Sequence, residues 1–182
     1  MGAQRVPAPL TVEEWARIPD PAGGHYELHH GELAFVTYPI HRHKALQRRL
    51  RKLLEHAAEP VGYVVDSEFP YRPFPENEVW GADVAVVSKA RYDAIEKWLL
   101  GSPELVIEVK SPSNSSRDMQ DKAMTTLAGE GAVEFWIVDP ETRTITVHSK
   151  RTGMHVYSGG ETVSPFVTGL PLCSPADLFD TP

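Results

Sequence analysis

The chain has a single cysteine, Cys173, among 182 residues. One thiol excludes an internal disulfide framework and any zinc centre built on cysteines, and it fits a reducing compartment. Long apolar runs are also missing. No segment approaches the roughly 20 residues that a membrane-spanning helix needs, and the opening stretch MGAQRVPAPLTVEEW lacks the apolar centre of a secretion signal. A soluble, cytoplasmic chain without a membrane partner is expected. Positive charge is in deficit: 18 Lys and Arg against 25 Asp and Glu give a formal net charge of −7. That balance argues against broad, non-specific attachment to nucleic acid. Ser113, Ser115 and Ser116 have no His and Asp arranged to make a serine nucleophile.

What is present is an ordinary globular composition, 41% hydrophobic and 24% charged, at a length that suits one domain over residues 1–182. TVEEWAR (11–17) reads as a short helix capped by Thr11. HYELHHGELAFVT (25–37) reads as a hairpin turning at His29–Gly31. Over residues 42–57, Leu46, Leu50, Leu53, Leu54 and Ala57 form a helical stripe. Lys44, Arg48 and Arg51 fall on the opposite face, with Lys52 beside them, and no acid interrupts residues 42–52. Such a face could follow a nucleic-acid backbone, although charge runs usually mean a solvated surface. Strands are expected over 62–69, 81–88 and 104–111, then a helix over about 116–128 capped by Ser113 or Ser116, then a hairpin of 133–139 and 144–149. The proline-rich 70–78 reads as a loop and the tail from 158 as turn-rich. No repeat or domain boundary is visible, and the order is mixed α/β, strands clustered about two or three helices.

The strand at 104–111, ELVIEVKS, carries the chemistry. Side chains alternate along a strand, so Leu105, Ile107 and Val109 share one face and Val106, Glu108 and Lys110 the other. A solvent-facing ion pair of about 0–1 kcal/mol is the plain explanation for the two charges. A second short apolar strand, GADVAVV, changes the weighing, because Asp83 in it is expensive to bury unless paired or bound to a metal. If the two strands are neighbours, Asp83 and Glu108 can hold Mg²⁺ or Mn²⁺ through hard oxygens, with the Val109 carbonyl as a third ligand and Lys110 beside an attacking water.

The pattern Asp83…Glu108-Val109-Lys110 resembles the PD-(D/E)xK nuclease signature. The wider chain is similar to the Uma-two family of restriction-endonuclease-like proteins. The likeness runs nearly end to end, through LTVEEWARIP, HYELHHGELAFVTYPIHRHKALQRRLRKLLE, GADVAVV, PELVIEVKSPSNSSRDMQDKAMTTLAGEGAVEFWIVDPETRTITVH and GLPLCSPADLF. Ala82 stands where the signature usually has proline, a residue without a chemical part. The resemblance implies a restriction-endonuclease-like fold, a central mixed β-sheet flanked by helices. It implies a Mg- or Mn-dependent hydrolase acting on phosphodiester bonds of nucleic acid, DNA in particular, and a homodimer by analogy. It brings in Lys122 as a second cation near the scissile phosphate or as the catalytic one, and Glu32 as a third metal carboxylate in preference to Glu27. His43 resembles a histidine found there in the family and could touch a phosphate or help order the site, beside the basic residues Lys44, Arg48 and Arg51. The competing expectation is a non-catalytic module that keeps this fold to bind nucleic acid or a protein.

Overall fold

The computed structural model describes residues 8–38, 41–112 and 114–180. Ser113, one of the two expected helix caps, lies outside them. In chain order the elements are α1 (Val12–Trp15), β1 (Gly24–His29), β2 (Glu32–Thr37), α2 (His41–Ala58), β3 (Tyr63–Arg72), β4 (Trp80–Ser88), α3 (Lys89–Asp93), β5 (Leu99–Leu100), β6 (Leu105–Val109), α4 (Ser116–Ala128), β7 (Glu134–Asp139), β8 (Thr144–Ser149), β9 (Gly153–Ser158) and α5 (Pro175–Asp180). Seven strands form one mixed sheet in the order β5-β3-β4-β6-β7-β8-β9. Its pairs are antiparallel except β3 with β5 and β6 with β7. A parallel pair needs a crossover, and α4 supplies it between β6 and β7.

Helices cover both faces. Leu46, Leu50, Leu54 and Ala58 of α2 pack with Leu178 of α5 against Val84, Val86, Leu105, Ile107 and Val109. On the other face, Met119 and Ala123 of α4 pack on Ala85, Val87, Val106 and Phe135. Strands covered on both sides read as continuous apolar runs, and every residue of β6 is buried, Glu108 included. The hairpin β1–β2 is a separate two-stranded sheet. It is tied to the main body where Leu28 and Val79 exchange backbone hydrogen bonds of 2.9 and 2.8 Å.

The mixed sheet flanked by helices matches the expected class, with three differences. The segment 70–72 continues β3 instead of looping. Pro70 is tolerated because β5 pairs only with Tyr71 and Arg72, leaving β3 an edge strand at that point. The cap of α4 is Ser115, in a capping box with Asp118, not Ser116. The sheet also gains β9, which is largely exposed, and α5 follows it. Among the described residues no helix is long and apolar enough to cross a membrane.

Candidate active site

The site forms where three strands come apart. β3 and β4 keep one register from Tyr63↔Ser88 to Tyr71↔Trp80, but the facing residues Glu68 and Asp83 drop out of the ladder. Glu68 takes a positive φ of 53°, uncommon for a residue with a side chain. The freed peptide of Asp83 finds side-chain partners: its N–H donates to Glu108 Oε1 at 3.3 Å, and its carbonyl accepts from Gln47 Nε2 at 2.7 Å. On the other side, the β4–β6 ladder stops at Val84↔Ile107. One step further, Asp83 stands opposite Glu108. The two carboxylates thus leave adjacent strands at facing positions, just beyond the end of the ladder.

Each oxygen of Asp83 is oriented by a different element. Oδ1 lies 2.8 Å from His43 Nε2 at the start of α2, and Oδ2 accepts the Val109 N–H at 2.7 Å. A carboxylate offers about four lone-pair directions, so both oxygens keep capacity for another partner. Glu108 is held from the α4 side, where Lys122 Nζ lies 3.0 Å from its Oε1 and donates to the Gly81 carbonyl at 2.6 Å. An ammonium has three N–H donors, and these two contacts account for two of them.

A third carboxylate, Glu27 on β1, completes the cluster. It is 5% exposed, and it lies 2.6 Å from His29 Nε2 through Oε2 and 3.8 Å from His25 Nε2 through Oε1. His29 in turn stacks on Trp80, rings 3.8 Å apart and 9° from parallel. Gly81 makes room for Glu27: a Cβ there would stand 2.8 Å from Oε1. Burial alone would push the Glu27 carboxyl up, but the Lys122 charge and the two histidines bring it well below the usual range. Glu108 goes the other way, raised by burial and by the charges of Asp83 and Glu27 against the opposing pull of Lys122. For Lys122, burial works against the charged form, yet Glu108 and Glu27 outweigh it and raise the ammonium above its ordinary value. The cluster is therefore short of positive charge.

These groups line a cavity of about 800 Å³, walled by residues 34–38 of β2 and its continuation and bordered by Ser111, Pro112 and the start of α4. Asp83, Glu108, Val109, His43 and Lys122, all singled out from sequence, meet there. Lys110 does not. β6 ends at Val109, and Lys110 Nζ pairs with Asp139 Oδ2 at 2.8 Å. Alternation predicts its direction only as far as the strand continues. Glu32 opens β2 exposed and outside the cavity, while Glu27 reaches in. The signal for Glu27 is present in HYELH, where period two sets His25, Glu27 and His29 on one face. The basic residues of α2 lie apart from the cavity lining: Lys44 sits 3.7 Å from Glu68 at its edge, Arg51 is 2.7 Å from Glu55, and Arg48 is exposed. Gln47, which fixes the Asp83 carbonyl, has no distinguishing mark in the sequence.

Among the described residues no three His, Cys, Asp or Glu side chains converge as a ready-made metal group. Asp83 and Glu108 nevertheless suit a hard divalent cation that takes few protein oxygens and keeps its waters, as Mg²⁺ does. The raised Glu108 carboxyl marks a place where added positive charge is favoured.

No curated protein matches the chain. Its fold is similar to a crystal structure, at 1.96 Å resolution, of "a putative nuclease belonging to DUF820" from Anabaena variabilis. The TM-score is 0.82 and the identity 20%, over 94% of this chain and 98% of that one. The family described as "Putative restriction endonuclease", Uma2, matches residues 12–172. That span contains every element lining the cavity, and the chain belongs to this family.

Proposed function

We propose that the protein is a metal-dependent nuclease that hydrolyses phosphodiester bonds of nucleic acid, with DNA as the expected substrate. The observation that carries this reading is the facing pair Asp83 and Glu108 at the open end of β4–β6, with the Lys122 ammonium on Glu108 inside the cavity. Asp83 and Glu108, with the Val109 carbonyl, would hold Mg²⁺ or Mn²⁺. When bound, the ion supplies a lowered pKa for a coordinated water and stabilises charge on the phosphate.

The chain's own residues do the positioning. His43 and the Val109 N–H fix both oxygens of Asp83, so that carboxylate is pre-oriented. Burial opposes the Lys122 charge but Glu108 and Glu27 outweigh it, which favours the ammonium as a donor over a part as general base. Its third N–H offers a fixed positive donor to a phosphate oxygen as negative charge develops there. Lys110 is assigned instead to bracing the end of β6 against Asp139. His29, stacked on Trp80, and Glu27 beside it form the β1 wall.

The test is cleavage of plasmid DNA and of single-stranded, double-stranded and RNA oligonucleotides with Mg²⁺ or Mn²⁺, beside Asp83→Asn and Glu108→Gln. Divalent-dependent cleavage lost in both variants is the expected result. The alternative, a binding module that keeps the fold, has one observation in its favour: Lys122 already neutralises part of Glu108. Failure of Mn²⁺ to bind, or metal affinity unchanged in Asp83→Ala, would decide for it.

A further inference from the structure

A second cavity, of about 520 Å³, opens at the β5 edge of the sheet and is lined by Arg72, Arg91, Lys97 and Trp98 among others. The three cations are not equivalent. Arg91 is fully engaged, donating to the Ser102 and Leu100 carbonyls at 2.9 and 3.2 Å and lying 3.0 Å from Glu104. Arg72 and Lys97 have no ion-pair partner among the described residues. Each instead sits against one indole: Lys97 Nζ lies 3.9 Å and the Arg72 guanidinium carbon 5.7 Å from the Trp98 ring centroid. Arg72 Nε is buried and has no hydrogen-bond partner among the described residues. A buried donor on a charged group without an acceptor is costly, and two like charges held on one ring leave a local excess of positive charge. Glu96 also lines the cavity but pairs with neither cation.

We propose that Arg72 and Lys97, converging on Trp98, form a phosphate seat for the nucleic-acid backbone on the flank of the cleavage cavity. The identification of the anion rests on the nuclease reading above. Position favours it. Trp98 packs in the same small cluster as Leu28 of β1, and the residues either side of Leu28, Glu27 and His29, line the cleavage cavity. One strand therefore borders both sites. β3 is two strands from β6, about 10 Å, and Arg72 is four residues along β3 from Glu68, about 13 Å. The separation is on the order of 16 Å, or about five steps along a duplex at roughly 3.4 Å each. Chemistry favours it as well. With Lys97, Arg72 and Trp15 already about the Trp98 ring, the indole is poorly placed to stack a base. What remains is a pair of cations for phosphate oxygens, a contact that positions a duplex without reading sequence. In a chain of net charge −7, such a local seat offsets repulsion from the acidic cavity.

Two measurements test this. In the first, inorganic phosphate is titrated into the metal-free protein while the Arg Nε–Hε resonances are followed by NMR. The Arg72 signal should move saturably in the wild type and in Asp83→Asn. In the second, duplex binding in EDTA is followed by fluorescence anisotropy between about 50 and 200 mM salt for wild type, Arg72→Gln, Lys97→Gln and the double variant. Each single change should flatten the slope of log K against log salt by about 0.9, so that the advantage of wild type over the double variant shrinks about tenfold across that range. Lys97 is an exposed side chain, so Lys97→Gln keeps the test valid if Arg72→Gln does not fold. Equal slopes in wild type and Lys97→Gln, or an unmoved Arg72 resonance, would overturn the proposal. Phosphate binding at Arg72 in a protein that cleaves nothing would instead sink the nuclease reading and spare the seat.

Discussion

Lys122 and Lys110 each neutralise a carboxylate, but only the partner of Lys122 faces the cavity. Lys122 Nζ lies 3.0 Å from Glu108 Oε1, whereas Lys110 Nζ lies 2.8 Å from Asp139 Oδ2. The consequence for activity is asymmetric. Lys122→Met should lower kcat for divalent-dependent cleavage by about 100- to 1,000-fold, the usual cost of losing a donor aimed at developing charge. Lys110→Met should leave kcat within a few-fold and act on stability through Asp139. Steady-state cleavage of one oligonucleotide by both variants checks this, and equal losses would return Lys110 to the site. Glu108 gives a second expectation, in EDTA. Its folded carboxyl is raised above the ordinary 4.5 by burial and by Asp83 and Glu27. Between the unfolded and folded values the native state binds the extra proton, so unfolding free energy falls as pH rises through that window. Glu108→Gln removes this titration, and its urea midpoint should vary less with pH than that of wild type from mild acid through neutrality.

At the scale of elements, α4 matters because it carries Lys122 to Glu108. Its first turn is fixed by a reciprocal pair: Ser115 Oγ accepts the Asp118 N–H at 3.1 Å, and Asp118 accepts the Ser115 N–H at 3.2 Å. Ser115→Ala should cost about 1 kcal/mol of stability, seen as a lower urea midpoint at unchanged slope. An unchanged midpoint would mean the cap contributes nothing. The elements also show where sequence reasoning reaches and stops. The buried strands β4 and β6, the amphipathic α2 and the hairpin β1–β2 announce themselves by period and turn chemistry. Adjacency of β4 and β6 does not, because pairing between distant strands leaves no local mark; only the cost of burying Asp83 points to it. Sequence favours Glu32 over Glu27, whereas the structure places Glu27 in the cavity and Glu32 outside it, because the side of a hairpin that meets the body is set by the Leu28–Val79 contact, which is tertiary. Lys110 is legible as a neighbour of Glu108 only if the strand runs on to residue 111, and the strand stops at Val109.

Across the whole molecule, the excess of acid has a place as well as a total. Glu27, Asp83 and Glu108 share one cavity with the ammonium of Lys122, so the folded chain concentrates negative charge that the unfolded chain disperses. A divalent ion that binds these oxygens binds the native state and not the unfolded one, and it must therefore stabilise the fold by mass action. At a free concentration about 100 times Kd the gain is about 2.7 kcal/mol, which for a chain of this size raises Tm by about 5–10 °C. Mn²⁺ should produce that shift in wild type and lose most of it in Asp83→Asn, with EDTA returning wild type to its starting Tm. The readout needs no substrate and no turnover, so it tests the metal site apart from the nuclease reaction. A wild-type Tm that millimolar Mn²⁺ leaves in place would mean that Lys122 and the neighbouring histidines suffice to balance these carboxylates, and the cavity would then be a feature of the fold and not a metal centre.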